Sequence, residues 1–185
     1  QEVEGHQVTE MEFAGLFVQL TVAGNETTRG LLSSGMYELL KRPDLYRRLQ
    51  NNQEQLPLAV EEMLRWTCPL HYFRRTATCD TTIRGHEIKE GDRVVMQYSS
   101  ANFDEDVFAD PLNFDTTRSP NPHMAFGHGL HLCLGANLAR MEARIFFEEF
   151  FRHFAHVESC AEPVFIRSNL IHGFKEMPVA LTPRQ

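Results

Sequence analysis

The stretch FGHGLHLCLG, residues 126–135, is the most informative segment of this chain. Its three glycines let the backbone bend where a side chain would not fit, and they deliver Cys133 to the beginning of an amphipathic helix. Unpaired backbone N–H groups and the helix dipole stabilise negative charge at a helix N-terminus, so this position favours a cysteine thiolate. The alternative interpretation is a glycine-rich turn that ends in a buried structural cysteine.

Around this loop the sequence predicts a mainly helical fold with small peripheral β-sheets. Apolar residues recur at three- and four-residue steps between Thr9 and Leu40, which indicates one long helix. Thr9 and Glu12 have the spacing of a capping box at its beginning. Further helices are predicted over residues 43–49, 57–66 and 134–154; in the last of them Leu134, Leu138, Met141 and Ile145 form one stripe.

Short strands are expected between these helices. Residues 72–98 alternate in short runs, of which 93–98 is the clearest, and predict hairpins. Residues 103–125 show little periodicity and predict a long irregular loop, a feature that is usually functional or disordered. Residues 165–181 predict a final hairpin around Gly173.

Composition restricts the class of protein. The chain has 185 residues, is 42% hydrophobic and carries a net charge of -7, which argues against a general nucleic-acid binder. Its cysteines, at positions 68, 79, 133 and 160, form no C-x-x-C pair, so a reducing, cytoplasmic compartment is expected. The longest apolar stretch, residues 13–24, is shorter than the roughly 20 residues of a membrane span. No signal peptide is visible in the sequence as given.

A second unusual segment is AGNETT, residues 23–28, in the middle of the long predicted helix. Glycine costs about 1 kcal/mol there relative to alanine, and threonine hydroxyls bond back to helix carbonyls and bend the helix. The segment therefore predicts a locally widened turn that admits a diatomic ligand and a water. The alternative is an ordinary helix with a polar patch.

Together with Glu62 and Arg65, which share a helix face, these motifs resemble the C-terminal half of the cytochrome P450 family. The loop matches the family's haem-ligand segment at Phe126, Gly127, Gly129, His131, Cys133 and Gly135, and the motifs follow in the family's order over essentially all 185 residues. The most similar members are bacterial enzymes that oxidise sterols, steroids or branched lipids. The resemblance implies a single domain, of which residues 1–185 are the haem-binding part.

The resemblance implies roles for these residues around haem b. Cys133 would be the axial ligand of the iron, within a cofactor-binding loop that includes Phe126, Gly127 and Gly135. Arg75 and His131 would bind the propionates, and Arg74 would replace Arg75 if the register differed by one.

In the helix motif, the resemblance implies that Thr27 hydrogen-bonds the dioxygen substrate and that Glu26 relays protons. Ala23 and Gly24 would leave room for dioxygen. Residues expected to contact a lipophilic substrate are Leu70, His71, Phe73, Leu170 and Ile171.

A structural network of Glu62, Arg65 and Arg118 would hold the irregular loop to the core. Glu61 is a neighbouring candidate, but the three-residue spacing places Glu62 on the helix face of Arg65.

The implied activity is that of a monooxygenase, which inserts one oxygen atom of dioxygen into a lipophilic substrate. A ferredoxin-type partner with its reductase would deliver electrons, since no flavin or nicotinamide motif is present. Arg140 and Arg144 could lie on the docking face, but solvated helix charge is the commoner explanation for such residues.

Family members are about twice this length. We therefore expect the N-terminal half to lie on a longer protein or a separate chain, or to be lost from a truncated product.

Two alternatives remain from the sequence. His123, His128, His131 and Cys133 have ligand types that suit zinc. The second alternative is a truncated or inactive fragment that does not bind haem competently.

Overall fold

The fold, seen in a computed structural model that describes residues 2–3 and 5–185, is organised by one long helix, α1 (Glu10–Leu40). The predicted capping box is present, because the Thr9 hydroxyl accepts from the Glu12 amide at 3.3 Å and the Glu12 carboxylate accepts from the Thr9 amide at 2.9 Å. The predicted extent of this helix is therefore confirmed.

The remaining predicted helices are present within a few residues of the expected bounds. They are α2 (Pro43–Asn51), α3 (Leu56–Thr67) and α5 (Ala136–His153). A four-residue α4 (Tyr98–Ala101) and 3₁₀ turns at Gln53–Gln55 and Gly129–His131 were not predicted. Residues 103–125 contain neither helix nor strand, which confirms the long irregular loop.

The strands form small antiparallel pairs at the periphery, as the sequence predicts. In chain order they are β1 (Glu2–Val3), β2 (His6–Gln7), β3 (Tyr72–Thr76), β4 (Thr81–Ile83), β5 (His86–Ile88), β6 (Arg93–Gln97), β7 (Phe154–Ser159), β8 (Val164–Phe165), β9 (Phe174–Glu176) and β10 (Val179–Pro183). The pairs are β1–β2, β3–β6, β4–β5, β8–β9 and β7–β10. The final hairpin prediction is right for β8–β9, which flank Gly173, whereas β10 pairs with the earlier β7.

The core lies where the C-terminal half of α1 crosses α3 and α5. Leu39, Met63 and Phe147 are fully buried there. A Cβ added at Gly35 would lie 2.7 Å from the Met63 sulfur, so glycine is what lets α1 approach α3 this closely. Burial of this interface anchors α3, the helix that carries Glu62 and Arg65.

Two apolar helix faces remain exposed on the described chain. The predicted α5 stripe points outward, with Leu138 52% and Met141 47% exposed, while the same helix buries Ala143 and Phe147. The first half of α1 is likewise exposed, including Phe13 and Phe17. Helical periodicity thus predicted both helices correctly, but it could not say which apolar face this chain itself covers.

No helix in residues 2–3 and 5–185 combines the length and the apolar character that a membrane span requires.

Candidate active site

The loop before α5 is a closed turn that presents Cys133. The Cys133 amide donates to the Phe126 carbonyl oxygen at 2.9 Å, and the Gly127 amide donates to Met124 at 2.8 Å. Gly127 and Gly129 have φ values of +71° and +69°, a conformation that L side chains rarely adopt. At Gly127 a Cβ would also lie 3.2 Å from the Tyr98 hydroxyl oxygen. These glycines are therefore required by the turn itself.

Cys133 lies at the surface of the described chain and not in its core. Its side chain is exposed and unpaired, and it precedes the first residue of α5 by three positions, with Gly135 as the helix N-cap. Burial raises the pKa of Cys68 to about 12, which makes that cysteine an inert core residue. The interpretation of Cys133 as a buried structural cysteine is therefore wrong.

Apolar side chains surround the exposed thiol. Leu132 and Leu134 on either side of Cys133 are 56% and 90% exposed. A depression of about 500 Å³ opens beside the thiol, and its walls include Phe126, His128 and Arg140. A flat, hydrophobic cofactor would find both a sulfur ligand and apolar contact surface here.

The zinc interpretation finds no geometric support. Within residues 2–3 and 5–185, no three His, Cys, Asp or Glu side chains are placed to hold one metal ion. His123 instead contacts the Glu61 carboxylate through Nε2 at 3.1 Å. His131 is exposed and no described side chain hydrogen-bonds to it.

The helix motif at residues 23–28 differs from its prediction in one respect. Every residue of α1 is α-helical, so the widened turn is not present. The Thr27 hydroxyl donates to the Ala23 carbonyl oxygen at 2.7 Å. This bond satisfies the hydroxyl while the backbone of α1 stays α-helical. Glu26 pairs with Arg29 one turn later. A Cβ at Gly24 would meet nothing within 4 Å, so this face has open space.

The three predicted network residues are hydrogen-bonded to one another in the core. Glu62 and Arg65 are fully buried, and the Arg65 Nε and Nη2 atoms donate to the two Glu62 oxygens at 2.8 Å each. Arg118 Nε donates to Glu62 at 3.2 Å. The two arginines also donate to carbonyl oxygens of the irregular loop, at Asn102, Ala109, Asp110, Pro111 and Asn113. The positive charges and N–H groups of Arg65 and Arg118 therefore compensate the cost of burying the Glu62 carboxylate.

Arg75 lies on β3, on the strand face that also carries Phe73. The Phe73 ring lies 5.9 Å from that of Tyr98, and the Tyr98 hydroxyl lies beside Gly127 of the cysteine loop. Arg75 donates only to its neighbour's backbone, at the Arg74 carbonyl oxygen, and pairs with no acidic residue of the described chain. Its guanidinium therefore has no acidic partner among the described residues.

Four of the predicted substrate contacts are brought together by backbone pairing. Leu70 and Ile171 form an antiparallel bridge, and the His71 amide donates to the Leu170 carbonyl oxygen at 2.9 Å. This segment packs closely against α1 at Gly30. A Cβ added there would lie only 2.7 Å from the His172 carbonyl oxygen, so a larger residue would not fit. Burial lowers the pKa of His71, and the nearby His172 lowers it further.

A second polar cluster was not predicted from the sequence. Arg140 donates to both Glu61 oxygens, at 2.6 and 2.9 Å, and His123 contacts the same carboxylate. Burial of Glu61 opposes its ionisation, but hydrogen bonds from His123 and Arg140 outweigh it and lower the pKa to about 2. Hydrogen bonds to Glu61 raise the pKa of Arg140, against the effect of partial burial, and the charges of Glu61 and Cys133 raise it further. Each partner lies more than sixty residues from Glu61 along the chain, so no local pattern could have revealed the cluster.

Comparison with known proteins gives consistent matches. The family model described as Cytochrome P450 matches residues 1–172. The chain is 46% identical over 180 residues to the methyl-branched lipid omega-hydroxylase of Mycobacterium tuberculosis, covering 96% of this chain and 42% of that protein. It is 42% identical over 184 residues to the steroid C26-monooxygenase of Mycolicibacterium smegmatis, covering 98% and 46%.

A solved structure shows the same arrangement of elements. The crystal structure of a versatile cytochrome P450 enzyme from Bacillus subtilis superposes with a TM-score of 0.89 at 45% identity, covering 95% of this chain and 48% of that one. The chain therefore spans about half the length of the relatives that it matches.

Proposed function

The chain belongs to the cytochrome P450 family and has the fold of its C-terminal half, and on that premise we propose that it is the haem-binding part of a monooxygenase. The whole protein would insert one atom of dioxygen into a lipophilic substrate. The observation that carries the proposal is the exposed Cys133 thiol on a closed, glycine-dependent turn. No other described cysteine combines exposure with such a turn.

The donor set fits haem b. Cys133 offers a thiolate at the end of the loop, and the exposed Leu132 and Leu134 offer apolar contact. Arg75 is a cation without an acidic partner in the described chain, and His131 is a free donor, as two propionates require. Haem, when bound, supplies an iron centre that activates dioxygen, and cysteine ligation favours O–O cleavage.

The proposed reaction consumes two electrons and two protons for each dioxygen. One oxygen atom enters a C–H bond of the substrate as a hydroxyl group, and the other leaves as water. Thr27 would hold and pass protons at its hydroxyl, after releasing the Ala23 carbonyl oxygen to which it now donates. Glu26, partly exposed and paired with Arg29, would exchange protons with solvent. The open space at Gly24, next to the small Ala23, would admit dioxygen.

A lipophilic substrate, of the steroid or branched-lipid class, suits the apolar residues where the start of β3 meets residues 170–171. Leu70 and Ile171 bridge there, and Leu170 and the half-exposed Phe73 add apolar surface. The relatives named for steroid and lipid oxidation support this class. Electrons would come from a ferredoxin-type protein with its reductase. Cys133 must remain a free thiol, so a reducing compartment such as the cytoplasm is proposed.

We also propose that the remaining half of the fold lies on further chain of the same protein or on a separate polypeptide. The exposed apolar faces of α1 and α5 support this, since soluble surfaces rarely leave such patches uncovered. Activity is accordingly proposed for the complete fold.

Isotope labelling tests the function. The complete protein, reduced by a ferredoxin pair under ¹⁸O₂, should hydroxylate a steroid or a methyl-branched fatty acid and incorporate one labelled atom per product. Cys133→Ser should form no product. Product that carries oxygen from water, or equal turnover by Cys133→Ser, would overturn the proposal.

A further inference from the structure

The cluster of Glu61, His123 and Arg140 lies directly behind the cysteine loop. Glu61 is on α3, His123 is in the irregular loop and Arg140 is in the second turn of α5. The His123 side chain is 2% exposed and that of Glu61 is 25% exposed. The Glu61 carboxylate thus links α3 to the irregular loop and to α5, close to Cys133.

Arg140 is held in one orientation. Both of its hydrogen bonds to Glu61 are made by the guanidinium fork, and the guanidinium carbon lies 4.6 Å from the centre of the Phe126 ring. Bidentate pairing and stacking together immobilise an arginine far better than a single exposed ion pair does. The Phe126 ring is in turn flanked by that of His123, at 5.9 Å.

Phe126 connects this cluster to the ligand. Its carbonyl oxygen accepts the Cys133 amide hydrogen bond that closes the loop. Arg140 and Cys133 also line the same depression of about 500 Å³. The guanidinium therefore supports the residue that closes the loop, and the Arg140 and Cys133 side chains are near enough for their charges to interact.

We propose that Arg140, fixed by Glu61 and His123, is a positioning residue for Cys133: it holds the loop through Phe126 and supplies positive charge beside the ligand sulfur. The proposal rests on the haem-thiolate function proposed above. Groups outside the first ligand shell commonly orient a metal ligand and tune the metal, so such a residue acts without touching the reacting atoms. It also gives Arg140 a role other than the docking of a redox partner.

Charge variants distinguish positioning from a merely structural contact. Arg140→Gln removes the cation, and Glu61→Gln removes the anion while keeping a similar shape. A more reduced iron–thiolate centre carries more negative charge, so a nearby cation stabilises it. In the haem-loaded complete protein, Arg140→Gln should lower the reduction potential and Glu61→Gln should raise it. A contact that only holds the fold would shift both variants in the same direction.

Amide hydrogen exchange tests the loop independently, in the complete protein before and after haem loading. Arg140→Gln should speed exchange of the Cys133 amide at least about tenfold, because loss of a charged hydrogen-bond partner frees the loop. Arg140→Lys should restore the potential but not the slow exchange, since lysine lacks the fork. Arg144→Gln is the matched control, one turn further along α5 and paired with Glu148, and should change neither quantity.

The outcomes separate the two proposals. Potentials that move in the same direction in Arg140→Gln and Glu61→Gln, or unchanged Cys133 exchange in Arg140→Gln, would overturn the positioning role. Failure of the unaltered complete protein to bind haem through a thiolate would overturn the proposed function instead, and the exchange measured before haem loading would still test the loop.

Discussion

The amide nitrogen of Cys133 donates at 2.9 Å to the carbonyl oxygen of Phe126, seven positions earlier in the chain. This bond fixes the direction in which the cysteine leaves the loop. It depends on Gly127 and Gly129, whose positive φ angles other residues rarely adopt. The Arg140 guanidinium lies over the ring of Phe126, 4.6 Å from its centre. The position of Cys133 is therefore set by residues from the core outward.

Removing the buried carboxylate of Glu62 should destabilise the protein strongly. Glu62→Ala leaves two buried or nearly buried guanidinium groups, of Arg65 and Arg118, without their anion. Loss of one partner of a buried ion pair costs about 3–5 kcal/mol. Urea denaturation should show a loss of this order, together with weaker haem retention, because the network ties down the irregular loop before Cys133.

The control for Glu62 is Glu149→Ala, on α5. Glu149 has the same three-residue spacing to Arg152, but the two side chains are 43% and 68% exposed. Solvent screening should keep the loss below about 1 kcal/mol. Equal losses for Glu62→Ala and Glu149→Ala would contradict a special role of the buried network.

The Glu61 cluster should make stability depend on acidity. The pKa of Glu61 is lowered from 4.5 to about 2 in the folded protein, because its hydrogen bonds to His123 and Arg140 outweigh the opposing effect of burial. A lowered folded-state pKa contributes stability above the unfolded-state value, and this contribution is lost as the pH falls from about 4.5 to 2. The full contribution is on the order of 3 kcal/mol.

Denaturation of the protein and of Glu61→Gln across that range of pH checks this expectation. The stability difference between the two should be largest near neutral pH and should shrink as the pH falls below 4.5. A difference that stays constant down to pH 2 would mean that the Glu61 carboxylate is not stabilised by its partners.

Thr27→Ala should uncouple electron use from product formation. The alanine variant lacks the proposed proton-carrying hydroxyl, so the complete enzyme should consume electrons at a similar rate while product falls several-fold and hydrogen peroxide appears. The ratio of product to electrons consumed is the quantity to measure.

Thr21→Ala provides the matched control for Thr27→Ala. The Thr21 hydroxyl donates to the Phe17 carbonyl oxygen at 2.8 Å, the same backbone contact that Thr27 makes with Ala23. Loss of that contact alone should leave coupling unchanged. If both variants uncouple equally, the effect comes from the helix backbone and not from the Thr27 hydroxyl.

Local signals explain what the sequence could predict. The capping box at Thr9 and the prolines in the first turns of α2 and α3 are short-range features, and the structure ends the helices within a few residues of the predicted bounds. The order of the motifs likewise identified the fold. Glu62 and Arg65 lie three residues apart on one helix, so their pairing was also visible locally.

Long-range relationships explain what the sequence could not predict. β10 pairs with β7 although the paired residues lie 20 to 29 positions apart in the chain, and no short turn joins the two strands. Leu138 and Met141 have the spacing of a buried helix face, but this spacing could not predict that both remain exposed on the described chain. The predicted widening around Thr27 is absent because a back-bond to Ala23 satisfies the hydroxyl within a regular helix. The Glu61 cluster joins three distant segments that only the folded chain brings together.

The carbon monoxide spectrum of the reduced, haem-loaded complete protein shows whether Cys133 binds the iron as a thiolate. The unaltered protein should show the strongly red-shifted Soret band of thiolate-ligated haem, and Cys68→Ser and Cys79→Ser should retain it. Cys133→Ser should lose it. A red-shifted band that survives in Cys133→Ser, or its absence from the unaltered protein, would mean that Cys133 is not the thiolate ligand.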